Sequence, residues 1–380
     1  MNITDLYTIY TDIKEQGLFG RYITNSNIEK CLDKLPKALI ETIGHSVEKR
    51  PIYKLQFGTG PKKVLMWSQM HGNESTTTKA LFDCVNLFQT QNEFSKKLLE
   101  SCTIVMVPIL NPDGAERYTR ANAKEADLNR DAQALSQPES NVLRGLYNEF
   151  KPQYCFNLHG QRTIFGAGST GVSATMSFLS PAEDENRSLT ENRKVAMTII
   201  SDINNVLKDL IPNGIGRYDD GFNLNCVGDT FQSFGVPTLL YETGHYPNDY
   251  DREEVRKLAF IAILKGIESI IDGVDSDKYE DYFKIPENTK TFYDIIIRNA
   301  RLNDGEEHFD VAIQYKESLK NGKIDFIPVV ESISDLNTYY GHKEIDAKGD
   351  FVKNAENLEL KVGYENVFVL INNEKTSLKA

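Results

Sequence analysis

Lys62–Thr90 reads KKVLMWSQMHGNESTTTKALFDCVNLFQT, and two elements can be read directly from it. The first part, KKVLMWSQM, is apolar without alternation, as expected of a strand buried on both faces of a sheet. From Thr76 on, apolar residues fall at 80, 81, 84, 85, 87 and 88, which is helical spacing. A doubly buried strand running into an amphipathic helix is the repeating unit of an α/β sheet. Between the two lies His71-Gly-Asn-Glu74, at the carboxyl end of the strand. Open α/β sheets gather their ligands there.

The same alternation continues on both sides. PIYKLQFG (51–58), CTIVMVPIL (102–110), QYCFNLH (153–159) and VPTLLYE (236–242) read as strands. NVLRGLYNEF (141–150), RKVAMTIISDINNVLKDL (193–210) and EEVRKLAFIAILKGIESII (253–271) read as helices. Upstream, ITDLYTIYTDIKEQ is helical, and SNIEKCLDKL is a second helix opening on a Ser cap. CTIVMVPIL stops at Asn111-Pro-Asp-Gly114, a turn signal. The expected fold is an α/β domain with a mixed, mostly parallel sheet and helices on both faces. The pattern changes near Asp272. FYDIIIRNARL, FDVAIQYK, KIDFIPVV and LELKVGYENVFVLIN are strand-like, with turns between them and almost no helix. Residues 1–272 therefore read as a catalytic domain and 273–380 as a small all-β module. GVDSDKYEDYFKIPENTK (273–290) serves as the linker.

The 380 residues carry a net charge of −12, which argues against non-specific nucleic-acid binding. No run of 18 apolar residues suggests a membrane span, and the start MNITDLYTIY lacks a secretory pattern. The five cysteines are odd in number, with no C-x-x-C pair, and four sit among apolar neighbours. They read as reduced thiols, so the expected location is cytoplasmic.

The chemistry lies at the strand ends. His71 and Glu74, three residues apart, can turn onto one metal ion, and a catalytic zinc needs a third ligand. His159 ends its own strand in the same way, again followed by a glycine. Two His and one Glu form a zinc-hydrolase ligand set. The next strand end leads into ERYTRANAKEADLNRD, which holds Arg117, Arg120, Asp127, Asn129 and Arg130. At that sheet edge the arginines are suited to bidentate binding of a carboxylate.

The H-G-N-E, N-P-D-G, T-R-A-N, D-L-N-R-D, N-L-H-G and Y-E-T-G segments occur in order, most of them at strand ends. Over residues of about 45–270 the chain resembles the zinc metallocarboxypeptidases typified by carboxypeptidase A. The resemblance implies one zinc ion per chain on His71, Glu74 and His159. It implies Asp127 as the carboxylate orienting the first histidine, and Arg120 as the group that polarises the scissile carbonyl. Asn129 and Arg130 match the pair that holds the substrate's terminal carboxylate. Glu242 matches the general base for a zinc-activated water, and Tyr218 the mobile-loop tyrosine, with Phe222 closer to the usual spacing. Asp229 matches the residue at the base of the specificity pocket. The implied partner is a peptide or N-acyl amino acid with a free carboxylate.

The H-G-N-E form is also similar to deacylases of the aspartoacylase and succinylglutamate desuccinylase group, which share the metal site and carry a trailing β module. The intact N-P-D-G and the T-R-A-N before D-L-N-R favour the peptidase. A non-catalytic peptide-binding protein of this fold would be expected to lack a ligand or the base, and all four are present here.

Overall fold

The computed structural model describes residues 3–90, 92–305 and 307–380. Two helices lead in, α1 (Ile3–Ile13) and α2 (Asn25–Leu32). The cap of α2 is Thr24 rather than the serine expected from sequence. Its backbone N–H donates to Asn27 Oδ1 at 2.9 Å, so the capping box closes two residues earlier. Strands β1 (Ile40–His45), β2 (Pro51–Phe57) and β3 (Lys62–Ser68) follow, then α3 (Thr76–Gln89), α4 (Glu93–Ser101), β4 (Cys102–Val107) and α5 (Pro112–Arg117). Asn111-Pro-Asp-Gly114 is the N-terminus of α5 and not a simple turn. The Asn111 side chain accepts from Gly114 N at 2.8 Å, and Pro112 takes the first helical position, where no donor is needed.

The chain continues through α6 (Pro138–Phe150), β5 (Tyr154–Gly160), β6 (Phe165–Ala167), β7 (Met176–Leu179), α7 (Glu191–Leu210), β8 (Ile215–Arg217), α8 (Val227–Ser233), β9 (Thr238–Thr243) and α9 (Glu253–Asp272). The main sheet runs β1-β2-β4-β3-β5-β9-β7-β8. Its centre, β4-β3-β5-β9, is parallel, and the flanks bring in antiparallel pairs at β1-β2, β2-β4 and β9-β7. The unbroken apolar run of β3 has a direct explanation. Val64 and Met66 face one core with α3, α7 and α9, while Leu65 and Trp67 face a second with α6 and α8. Each fully buried side chain of this size stabilises the fold by roughly 1.5–3 kcal/mol.

The segment read as a linker is ordered. Ser276–Lys284 forms a 3-10 helix against α7, and β10 (Asn288–Lys290) pairs with β6. The β module follows as β11 (Phe292–Ala300), β12 (Phe309–Lys320), β13 (Lys323–Ser334) and β14 (Tyr340–Asp346), in the order β13-β12-β11-β14. A three-stranded sheet, β15 (Val352–Lys353), β16 (Phe368–Ile371) and β17 (Glu374–Ser377), packs beside it. Among the described residues, no helix is long and apolar enough to cross a membrane.

The module docks through aromatic rings. His342 of β14 stacks on Phe292 at 4.8 Å and lies 4.1 Å from His245 of the larger unit. Its Nε2 donates to the Thr163 carbonyl at 2.7 Å. Desolvation lowers His342 to about 4, and His245, facing Arg252 and Arg21, is lowered as well. Both imidazoles are therefore neutral in the folded state. Their contribution is complete above the unfolded value near 6.5 and is lost as pH falls toward 4. Unfolding free energy should drop by on the order of 2 kcal/mol more in the wild type than in His342→Gln over that interval. Parallel pH profiles for the two proteins would sink this expectation.

Candidate active site

The parallel centre of the sheet sets the site. β3 ends at Ser68, and the chain turns through His71 to Glu74 before α3 begins. The adjacent parallel strand β5 carries His159 next to its last residue, and Glu242 of β9 is the register partner of His159. Three neighbouring strands thus deliver their terminal side chains to one edge, as the α/β switch-point rule anticipates.

His71, Glu74 and His159 place their ligand atoms within 4.8 Å of one another. Glu74 divides its carboxylate, with Oε1 2.8 Å from His71 Nδ1 and Oε2 2.9 Å from His159 Nδ1. The Gly160 N–H also donates to Oε2 at 3.0 Å. The two Nδ1 atoms face each other at 3.2 Å. Two lone pairs so close repel unless a positive charge lies between them. Asp127 Oδ1 accepts from His71 Nε2 at 3.1 Å, which leaves Nδ1 free as a ligand. Burial opposes a charged His71, but the Glu74 and Asp127 carboxylates outweigh it and lift the group to about 9. The donor set therefore favours positive charge, and a divalent zinc ion, which replaces that proton, fits it.

Asp127 joins this trio to the arginine loop. Its Oδ2 accepts from Arg120 Nε at 3.0 Å, and Arg120 Nη1 lies 3.4 Å from Glu74 Oε1. Desolvation works against the Asp127 charge, but His71 and then Arg120 hold its carboxyl well below the usual range. Asn129 donates its backbone N–H to Asp127 Oδ1 at 2.9 Å, while its side chain accepts from Val227 N at 3.0 Å. Arg130 lies beside Cys226, with Nη1 3.1 Å from Sγ. The pair Asn129 and Arg130 thus sits beyond Asp127, at the start of α8.

A cavity of about 510 Å³ opens beside Glu74. Glu74, Arg120, Tyr218 and Glu242 all line it, whereas Asn129, Arg130 and Phe222 do not. Glu242 has an unpartnered oxygen, Oε2. Desolvation, then the Glu74 carboxylate, push its carboxyl well above the usual range, which strengthens the carboxylate as a proton acceptor. Tyr218 follows β8 and packs edge-on to Phe165 at 5.4 Å. Asp229 lies in α8, where its Oδ1 accepts from Asn223 N at 3.1 Å and burial raises it to about 6.

Residues 25–228 match the sequence profile of the zinc carboxypeptidase family, Peptidase M14. The chain belongs to the zinc carboxypeptidase family. Among curated relatives, the probable carboxypeptidase 2 of Arthroderma benhamiae is 27% identical over 137 residues, 36% of this chain and 24% of that protein. Mouse carboxypeptidase D is 32% identical over 164 residues, 36% of this chain and 11% of that protein. The matched region thus spans about a quarter or less of these relatives. Among solved structures, the metallo-carboxypeptidase from Burkholderia cenocepacia shares the fold at a TM-score of 0.52 and 20% identity, covering 65% of this chain and 68% of that one. Carboxypeptidase A from Helicoverpa armigera does so at 0.54 and 18%, covering 72% and 82%.

Several residues at this site carry no local signal in the sequence. Arg21 precedes α2, Arg252 precedes α9, and Tyr315 and Glu317 come from β12, yet all four line the cavity. Arg21 Nη2 bonds both oxygens of Glu317 at 2.9 and 3.0 Å, and the Tyr118 hydroxyl donates to the same carboxylate. The β module therefore forms part of the cleft wall.

Proposed function

We propose that the protein is a carboxypeptidase that hydrolyses the C-terminal amide bond of a peptide, with one zinc ion per chain on His71, Glu74 and His159. The observation that carries this reading is the free Oε2 of Glu242, beside His159 and on one cavity with Glu74 and Arg120. When bound, zinc supplies the Lewis acidity that brings the pKa of a water molecule toward neutrality. Glu242 Oε2 accepts a proton from the attacking water and returns it to the departing amine. Arg120 donates toward the carbonyl oxygen as negative charge develops there. Asp127 keeps the His71 proton on Nε2, so that Nδ1 stays available. Asn129 and Arg130 receive the terminal carboxylate of the substrate, the geometry for which a planar guanidinium is suited. Tyr218 covers the cleft from the β8 side. The five unpaired cysteines support a reducing, cytoplasmic setting.

Hydrolysis of small N-acyl amino acids is the second reading, favoured by the β12 residues on the cleft wall. Incubating the zinc-loaded protein with a peptide library and, separately, with N-acyl amino acids distinguishes the two. The expected result is chelator-sensitive release of single C-terminal residues from peptides. Release of the acyl group alone, with peptides left intact, would overturn the carboxypeptidase reading.

A further inference from the structure

The cavity beside Glu242 carries more positive charge than the proposed hydrolysis uses. Four arginines line it, Arg21, Arg120, Arg162 and Arg252, against Glu74, Glu242 and Glu317, in a chain of net charge −12. Two of the four are accounted for. Arg120 is held by Asp127 and Glu74, and Arg21 by Glu317. Neither Arg162 nor Arg252 has a carboxylate within ion-pair distance among the described residues.

Arg252 is the more telling of the two. It is 3% exposed, and its backbone is left-handed at φ 56° although it is not a glycine. The guanidinium donates to two neutral acceptors, the Thr243 carbonyl at 2.6 Å and the Gln161 carbonyl, and its Nε has no partner. Desolvation, then the neighbouring charge of Arg21, lower its pKa to about 10. Glu317 and Glu74 stabilise the Arg252 charge through space, but its hydrogen bonds go only to carbonyls, so a directly bonded anion would compensate it better. Arg162, three residues beyond His159, faces the same space from the exposed side.

The side of the site is set by Asn129 and Arg130, which adjoin Asp127 and Cys226 and are not among the residues lining this cavity. If they hold the terminal carboxylate, as proposed above, the cavity receives the acyl side of the scissile bond. Glu317 does not oppose an anion there, because Arg21 and Tyr118 already engage its carboxylate. We propose that the cavity is an anion-binding acyl-side subsite, in which Arg252 and Arg162 receive a carboxylate carried by the substrate upstream of the bond that is cut. The subsite is built jointly by the larger unit and by β12, so the module takes part in choosing the substrate.

The test uses four tripeptides, Ala-Glu-Ala, Ala-Gln-Ala, Glu-Ala-Ala and Gln-Ala-Ala, which move one carboxylate between two upstream positions. Their binding to full-length, zinc-loaded Glu242→Gln protein is measured by calorimetry. In at least one position the Glu peptide should bind about tenfold or more tightly than its Gln counterpart. Arg162→Ala and Arg252→Gln, each added to that background, should shrink the preference while leaving affinity for the Gln peptide unchanged. Should Arg252→Gln fail to fold by circular dichroism, the exposed Arg162→Ala decides the matter alone. Equal affinities in both positions, no binding of any of the four, or a preference that survives the substitutions would overturn the proposal. Hydrolysis of the same peptides by the wild type separates the two readings. Selective binding without cleavage would remove the peptidase and leave the subsite standing. Cleavage without Glu preference would remove the subsite only.

Discussion

Glu242→Gln should retain stoichiometric zinc and lose most of its turnover, with kcat falling by about 10²–10⁴. The side chains are nearly the same size, and Glu242 is not among the three residues whose ligand atoms converge. The variant therefore leaves His71, Glu74 and His159 undisturbed and removes only the ability to accept a proton. Its Oε2 has no protein partner to lose, so the substitution breaks no hydrogen bond at that atom. Elemental analysis reads the metal and peptide hydrolysis reads the rate. Wild-type turnover in this variant would mean that some other group takes the proton. Loss of zinc would mean that Glu242 supports the ligands and not the chemistry.

Asp83→Ala should be the most damaging single change to stability outside the site. Asp83 and Arg256 are both completely buried and join α3 to α9 through two bonds, Nε–Oδ2 at 2.7 Å and Nη2–Oδ1 at 2.6 Å. Tyr10 and the Glu15 N–H complete the carboxylate's shell, each at 2.8 Å. Removing the carboxylate leaves the buried guanidinium with only Glu253, 3.2 Å from Nη1, as an ion-pair partner among the described residues, and breaking a buried pair from one side costs about 3–5 kcal/mol. That is a large share of the roughly 5–15 kcal/mol that holds a folded domain together. Urea unfolding should show the loss as a lower midpoint. The double variant Asp83→Leu with Arg256→Met should recover part of it, because no charge is left uncompensated. A loss below about 1 kcal/mol in Asp83→Ala would show that water reaches the pair.

What the sequence discloses here follows the range of each interaction. β3, its loop and α3 could be read because hydrophobic periodicity and the strand-end position of His71 are local properties. The same holds for β5 and β9, whose carboxyl ends bring His159 and Glu242 to the edge. Shorter elements were silent. β7 and β8 have four and three residues, too few for alternation to register. Asn111-Pro-Asp-Gly114 reads equally well as a turn or as a cap, and only the bond to Gly114 N decides. The acidic stretch after Asp272 has the composition of a linker, yet packing against α7 and pairing with β6 give it structure. Arg21, Arg252 and Glu317 were invisible for a different reason. Nothing near them in the chain marks them as part of a site, and the contacts that do are distant, 296 positions between Arg21 and Glu317 and 91 between Arg252 and Gln161.

Arg21 and Glu317 are separated by 296 positions, and their bond lies on the wall of the cleft. During synthesis His71, Glu74, His159 and Glu242 all emerge well before residue 317. A nascent chain can thus possess every reacting group while its cleft still lacks one wall. Contacts of such long separation form late, since the intervening chain must be ordered first. The finished shape of the cleft therefore reports that both ends of the chain have found each other, and selectivity matures after the reactive groups are in place.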